Sequence, residues 1–297
     1  MEFSAWPSVT NPWEVLAEEA RHIDGAGYKG IWIGDHFMPN LADASGRWQE
    51  AWTVLSALAA LTARVRLGTL VTGNTYRNPC ILAKQVAQVD IISGGRVTLG
   101  IGAGWQENEH VAYNVPFYSV PERLQRLEES VQILRSLFDN ASTTFEGRHY
   151  QVKDAPLSPK PVQAHLPILI GGGGEKVTLR LVAQYADAWN IPGSAELVAQ
   201  KSEVLRRHCE RAGRDPATVH RTGAMLINIE DSATGGGLGH GPGWVMITHV
   251  RDLVDAITPY AEAGINELIL HFNPALPLPR RKQLLSEFQS VVAPAFA

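Results

Sequence analysis

The sequence predicts an α/β protein of the (β/α)8 barrel type, and three observations lead there. Short apolar runs of strand length alternate with longer segments of helical periodicity along the chain, the alternation that builds parallel sheets. The strand runs are apolar on both faces, as strands buried between outer helices and a packed interior must be. A length of 297 residues is usual for one such barrel. The competing architecture, an open doubly wound sheet, would carry a glycine-rich phosphate turn after its first strand, and Trp6-Pro7-Ser8 is not one. The expectation is one domain over residues 1–297, with a hairpin insertion near 143–166 and a glycine-rich loop at 230–247.

Each element has a local reason. Asn11-Pro12-Trp13-Glu14 opens the first helix, with Asn11 as N-cap and Pro12 at the first helical position; Trp13, Leu16, Ala20 and Ile23 share a face and Gly27 ends it. The strand run Lys29 to Gly34 stops at Asp35-His36. A helix over about Ala51 to Leu61 leads to the β-branched run Val65 to Val71. Asn78-Pro79 caps a helix through about Ile91, Ser93-Gly94-Gly95 turns into the strand Val97 to Gly102, and Ser119-Val120-Pro121-Glu122 is a capping box for a helix with a Leu124, Leu127, Val131, Leu134 stripe. Four strands and four helices thus precede Leu137. Thr143 to Val152, centred on Glu146-Gly147, reads as a surface hairpin, and Pro156 to Pro167 as an extended connection. Then Pro167 to Ile170 meets four glycines and a helix to Tyr185. Ala188 to Ile191 precedes a helix from Ala195 to Ala212, stopped by Gly213. Val219 to Ile229 is a strand, Thr248 caps a helix to Ala263 bent by Pro259, and Glu267 to Phe272 precedes a last helix, Arg280 to Val292.

Composition narrows the function. Lys plus Arg number 26 and Asp plus Glu 30, a net charge of −4 without blocks of one sign, so there is no nucleic-acid footprint. No stretch approaches the roughly 18 to 20 apolar residues of a membrane span. The N-terminus carries Glu2 where a signal peptide is basic, and Cys80 and Cys209 lack metal spacing. A cytoplasmic protein is expected, without membrane or nucleic-acid partners. The sequence contains no Gly-x-Ser-x-Gly elbow, phosphate-binding loop, His-Glu-x-x-His or His-x-His pair. An organic cofactor and a small-molecule substrate fit this pattern better than a metal.

A barrel of this kind places its chemistry at the C-terminal strand ends. Those positions hold Ser8, Asp35, His36, Thr72, Gly73, Asn74, Gly104, Trp105, Asn108, Gly171 to Gly174, Asn190 and His271. His36 alone follows a strand directly with an acid beside it, and imidazole suits proton transfer near neutral pH; the bland alternative is a structural histidine. Asp35 reads equally well as a loop or cap carboxylate. Four consecutive glycines between strand and helix leave bare amides that form an anion nest, where one glycine would suffice for a turn. Trp105 after Gly102-Ala103-Gly104 caps the barrel or leaves room for a flat ring. A non-redox phosphosugar isomerase or aldolase, the competing class, would want a strand-end lysine or carboxylate pair, and Lys29 precedes its strand while Lys84 falls inside a helix, which counts against it.

Gly34-Asp35-His36-Phe37, Arg66 to Thr69 leading to Tyr76-Arg77-Asn78-Pro79, Ser93 to Arg96, Gly100 to Trp105, and Pro167 to Gly174 with Tyr185 to Asn190 carry a further signal. In this order they resemble the luciferase-like monooxygenase superfamily, specifically its branch of coenzyme F420-dependent oxidoreductases. The resemblance implies a TIM barrel holding a deazaflavin or FMN over the third and fourth strands, with phosphate at Gly171, Gly172, Gly173 and Gly174. It implies cofactor contacts from Asp35, His36, Leu70, Val71, Thr72, Asn74, Gly102, Ala103, Gly104 and Asn108. It also implies a non-prolyl cis peptide at Leu70-Val71 and His36 as the catalytic residue near the reactive carbon. Trp105 stands where the sugar-phosphate enzymes carry a catalytic glutamate. Trp6, Trp105, His240 and the nearby Trp48 suggest an apolar or flat substrate. The implied activity is hydride transfer between the deazaflavin C5 and a small organic substrate, the proton passing through His36. The alternative is an FMN-dependent monooxygenase using reduced flavin and O2, fed by a separate reductase. A homodimer is expected. Six glycines within 234–243 suggest a lid that brings His240 or Trp244 towards the ring.

Overall fold

The computed structural model describes residues 1–41, 43–229 and 244–297. Its first half runs β1 (Glu2–Ala5), α1 (Trp13–Ala26), β2 (Gly30–Ile33), α2 (Ala51–Leu61), β3 (Arg66–Thr69), β4 (Thr72–Gly73), α3 (Pro79–Ser93), β5 (Val97–Gly102), α4 (Glu107–Ala112) and α5 (Val120–Asp139). A hairpin of β6 (Ser142–Glu146) and β7 (Gln151–Pro156) follows. The second half runs β8 (Ile168–Gly171), α6 (Thr178–Tyr185), β9 (Ala188–Pro192), α7 (Ala195–Arg211), β10 (His220–Ile229), β11 (Trp244–Ile247), α8 (Leu253–Glu262), β12 (Glu267–Phe272) and α9 (Leu278–Glu287).

Parallel pairing passes from β1 through β2, β3, β5, β8, β9, β10 and β12 back to β1, which closes an eight-stranded barrel. β4 continues the third strand along β5, and β11 pairs with β10 outside the ring. Two glycines let this wall close. A Cβ on Gly100 would lie 1.8 Å from the Thr69 carbonyl oxygen, and one on Gly68 would lie 2.4 Å from the Trp32 ring. Trp32, Leu169, Ala188 and Ile269, from four different strands, form one buried cluster, with Trp6, Leu70 and Val71 packed against it. At the opposite pole the buried Glu267 accepts hydrogen bonds from Trp32 Nε1 at 2.9 Å and His220 Nε2 at 3.2 Å. The larger cluster, with Leu16, Leu55, Val86, Leu134 and Phe288, draws on the helices.

The structure corrects several local expectations. α1 begins at Trp13, because Pro12 adopts extended geometry at the cap position and Asn11 makes no cap bond. α4 is an additional helix, so five rather than four precede the hairpin. α6 begins at Thr178, four residues after the last of the four glycines, so they do not lead straight into a helix. Thr248 does not cap α8; the Asp252 carboxylate instead accepts the amides of Thr248 and His249 at 3.1 and 2.7 Å. The last helix starts earlier, at Leu278, and ends in a wider π turn over Phe288–Val292. Of the glycine-rich loop expected at 230–247, residues 230–243, which include the 234–243 lid stretch and His240, lie outside the described residues. Among the described residues, no helix is long and apolar enough to cross a membrane.

Candidate active site

At the C-terminal ends of the strands lies a cavity of about 610 Å³. Its wall comes from Gly34, Asp35 and His36 after β2, Leu70, Val71 and Gly73 on the third strand, and Gly102 to Gln106 after β5. Gly171 and Gly172, Thr178, Asn190, Pro192 and Ala224 complete the far side, with Trp6, Trp48, Asn40 and Tyr76 at the near side.

His36 is the chemical centre of this wall. All four residues of β2 are buried, and the chain delivers His36 two residues beyond Gly34 with 16% of its side chain exposed. Its ring meets Trp48 and Trp105 edge-on, at centroid distances of 5.6 and 5.4 Å. Glu109 on α4 is fully buried and accepts a hydrogen bond from His36 Nδ1 at 2.7 Å. The same carboxylate accepts the Phe37 amide at 2.7 Å and the Tyr76 hydroxyl. Burial opposes ionisation of Glu109, but the bonds from His36, Phe37 and Tyr76 hold its pKa below the usual carboxylate range. Burial and that same carboxylate push the Tyr76 phenol up. An ionised carboxylate only accepts, so Nδ1 carries the ring proton and Nε2 is the ring's basic nitrogen.

Asp35 is held differently. Its fully buried carboxylate takes both ends of the Arg77 guanidinium, at 2.6 and 3.1 Å, while Arg77 also reaches Glu50 at 2.5 Å. Burial works against the Arg77 charge, but Asp35 and Glu50 together raise its pKa. Glu50 in turn caps α2 through the amides of Trp52 and Thr53. Asp35 therefore contributes to the wall of the cavity with its carboxylate already committed to a cation.

The third strand carries the non-prolyl cis peptide at Leu70-Val71. Val71 leaves no room for side chains opposite it: a Cβ on Gly102 or Gly171 would come within 2.9 or 3.0 Å of its methyls. Packing against Val71 accounts for glycine at both positions. Gly172 adopts φ +128°, and its amide donates to the Asn190 carbonyl at 2.9 Å, so it is not bare. A Cβ on Gly173 would strike Ile191 at 2.5 Å and one on Gly174 would strike Thr178 at 2.7 Å. Packing alone accounts for glycine at those two positions.

Of the expected site residues, the cavity collects Trp6, Asp35, His36, Leu70, Val71, Gly102, Ala103, Gly104, Trp105, Gly171 and Gly172. Five others do not line it. Thr72 is buried, with its hydroxyl donated to Thr69 and accepting Trp52 Nε1, each at 3.0 Å. Asn74 is buried and its amide pairs with the Gly102 carbonyl; Asn108 Nδ2 donates to the Pro39 carbonyl at 3.1 Å. Gly173 and Gly174 are the other two. Strand-end His271 does not line the cavity; its Nδ1 bonds the Trp6 carbonyl at 2.7 Å, and burial lowers its pKa to about 4. Sequence reasoning missed Glu109 and Tyr76. The available signal for Glu109 was an acid one helical turn past Trp105, in a six-residue helix too short to show a periodicity.

A flat cofactor fits this site on two counts: the cavity lining carries no side chain at Gly102, Gly104, Gly171 and Gly172, and Trp48 Nε1, at the cavity, is buried without a hydrogen-bond partner.

Comparison with known proteins adds an independent line. Residues 1–234 match the family model for luciferase-like monooxygenases. The chain is 28% identical to the F420-dependent glucose-6-phosphate dehydrogenase of Kineococcus radiotolerans, over 94% of this chain and 92% of that protein. It is 34% identical to the protein of that name from Amycolatopsis mediterranei, over 58% and 50% of the two chains. The fold superposes on an F420-dependent secondary alcohol dehydrogenase solved in complex with an F420-acetone adduct, with a TM-score of 0.87, 20% identity, and 100% and 99% of the two chains covered.

Proposed function

Because this chain belongs to the luciferase-like monooxygenase family of oxidoreductases, we propose that it works with coenzyme F420, passing a hydride between the deazaflavin C5 and a small organic substrate. The observation that carries this reading is His36, an imidazole with its Nδ1 proton fixed by a buried carboxylate, beside a glycine-lined wall. The relatives named F420-dependent support the choice of cofactor.

When bound, the deazaflavin supplies the hydride chemistry. The protein's contributions are positional. Val71 and the glycine wall of Gly102 and Gly171 would take one face of the ring, and Trp48 Nε1 offers it a hydrogen bond. Gly172 and Thr178 mark the cavity's edge towards Lys201, whose ammonium is paired with Glu175 at 2.6 Å. His36 Nε2 accepts the substrate hydroxyl proton in oxidation and returns it in reduction. Trp48 and Trp105 meet the His36 ring edge-on and present apolar surface beside the reacting atoms.

Separate titrations of the purified protein with F420 and FMN, followed by fluorescence quenching, test the reading. F420 is expected to bind at least tenfold more tightly, about 1.4 kcal/mol. Equal affinity, or FMN alone binding, would overturn it in favour of a flavin monooxygenase supplied by a separate reductase, the reaction for which the family is named.

A further inference from the structure

We infer that the substrate is an electrically neutral alcohol or ketone with apolar flanks, and that this site rejects sugar phosphates. The inference rests on the reading of the cavity as an oxidoreductase site, and it departs from the substrate named for the curated relatives.

Charge is the first argument. Among the described residues lining the cavity there is no lysine or arginine; the ionisable side chains are Asp35, His36 and Tyr76. The neighbouring guanidinium groups are committed. Arg77 is held by Asp35 and Glu50. Arg123 donates to the carbonyls of Gly104 and Tyr118 and stacks 4.3 Å over Phe117. A phosphate dianion entering here would shed its water with no cation among the lining residues to replace it; Lys201 beyond the edge is paired with Glu175, and the Gly172 amide that could have helped is spent on Asn190.

Shape and chemistry give the positive half. Trp6, Trp48 and Trp105, with Leu70, Pro192 and Ala224, present apolar surface around one basic nitrogen, His36 Nε2. That set handles one reacting oxygen and leaves the rest of the molecule to hydrophobic contact. In the oxidising direction the carbinol C–H leaves as hydride to the deazaflavin C5 and the O–H proton goes to His36 Nε2. The alcohol becomes a ketone, losing the two electrons that the cofactor gains.

Three tryptophans in the wall make binding measurable without turnover. Cyclohexanol, cyclohexanone and glucose 6-phosphate are titrated into the protein with and without F420, following tryptophan emission, and each alcohol is then assayed by loss of F420 absorbance. The neutral compounds should give saturable changes at concentrations about 100-fold below any response to glucose 6-phosphate, with kcat/KM at least about 1000-fold higher for the alcohol, the discrimination expected when a charged group is left unpaired. If F420 fails to bind, the cofactor reading falls, while the cofactor-free titration still decides the substrate class. Binding or turnover of glucose 6-phosphate within tenfold of the neutral compounds overturns the inference. So does failure of both neutral compounds to bind in either form.

Discussion

Replacing Glu109 with glutamine perturbs the proton geometry at His36 while keeping the side-chain volume. The carboxylate accepts three hydrogen bonds, from His36 Nδ1, the Phe37 amide and the Tyr76 hydroxyl. Glutamine has one accepting end. If that end stays with Phe37, its NH2 faces two donors, and His36 escapes the conflict by moving its proton from Nδ1 to Nε2, which removes the basic nitrogen from the ring's other side. A hydrogen bond to a charged group contributes about 1.5–3 kcal/mol against about 1 kcal/mol for a neutral one. Losing one charged bond and paying for the unfavourable tautomer should cost about 2–3 kcal/mol at the transition state, roughly 30- to 150-fold in kcat/KM. Glu109 does not line the cavity, so F420 affinity measured by fluorescence should stay within about threefold. His36→Ala should cost about a hundredfold or more. Because Glu109 acts through His36, the double variant should be no slower than His36→Ala alone. A Glu109→Gln enzyme with full turnover and an unchanged pH profile, or additive losses in the double variant, would refute this role.

Other expectations follow from the same geometry. Arg77→Met strands the buried Asp35 carboxylate and should lower unfolding free energy at pH 7 by about 3–5 kcal/mol in urea denaturation, but much less in an Asp35→Asn background; equal losses in both would show the pair uncoupled. His271 has a folded pKa near 4 against 6.5 unfolded, so the unfolded chain binds the proton first. Its contribution should be complete above about pH 6.5 and disappear as pH falls to about 4, roughly 3 kcal/mol in all. His271→Gln should flatten the stability profile in that window, and an unaltered slope would count against it. Gly173→Ala should cost about 1–3 kcal/mol of stability through contact with Ile191, and should weaken F420 and its dephosphorylated riboside equally. Selective weakening of the phosphorylated form would restore Gly173 to an anion nest.

The pattern of what the sequence revealed has a physical basis. Strands buried on both faces advertise themselves as apolar runs, so Gly30–Ile33, Val97–Gly102 and Glu267–Phe272 stood out, and strand ends then located His36. Polar residues at strand ends were less informative, because successive residues point to opposite sides. Thr72 faces Trp52 on α2 whereas its neighbour Val71 reaches the cavity. The glycine run shows the deeper limit. A missing Cβ looks identical in sequence whether it serves a ligand or only clears a neighbour, and here it clears Val71 at Gly102 and Gly171, Ile191 at Gly173 and Thr178 at Gly174. Glu109 was hidden for the converse reason. An exposed acid is the ordinary expectation for a short helix, and its burial exists only because α4 lies where the Phe37 amide, Tyr76 and His36 converge on it. Such a convergence joins residues 33 to 73 positions apart, a separation that local spacing cannot register.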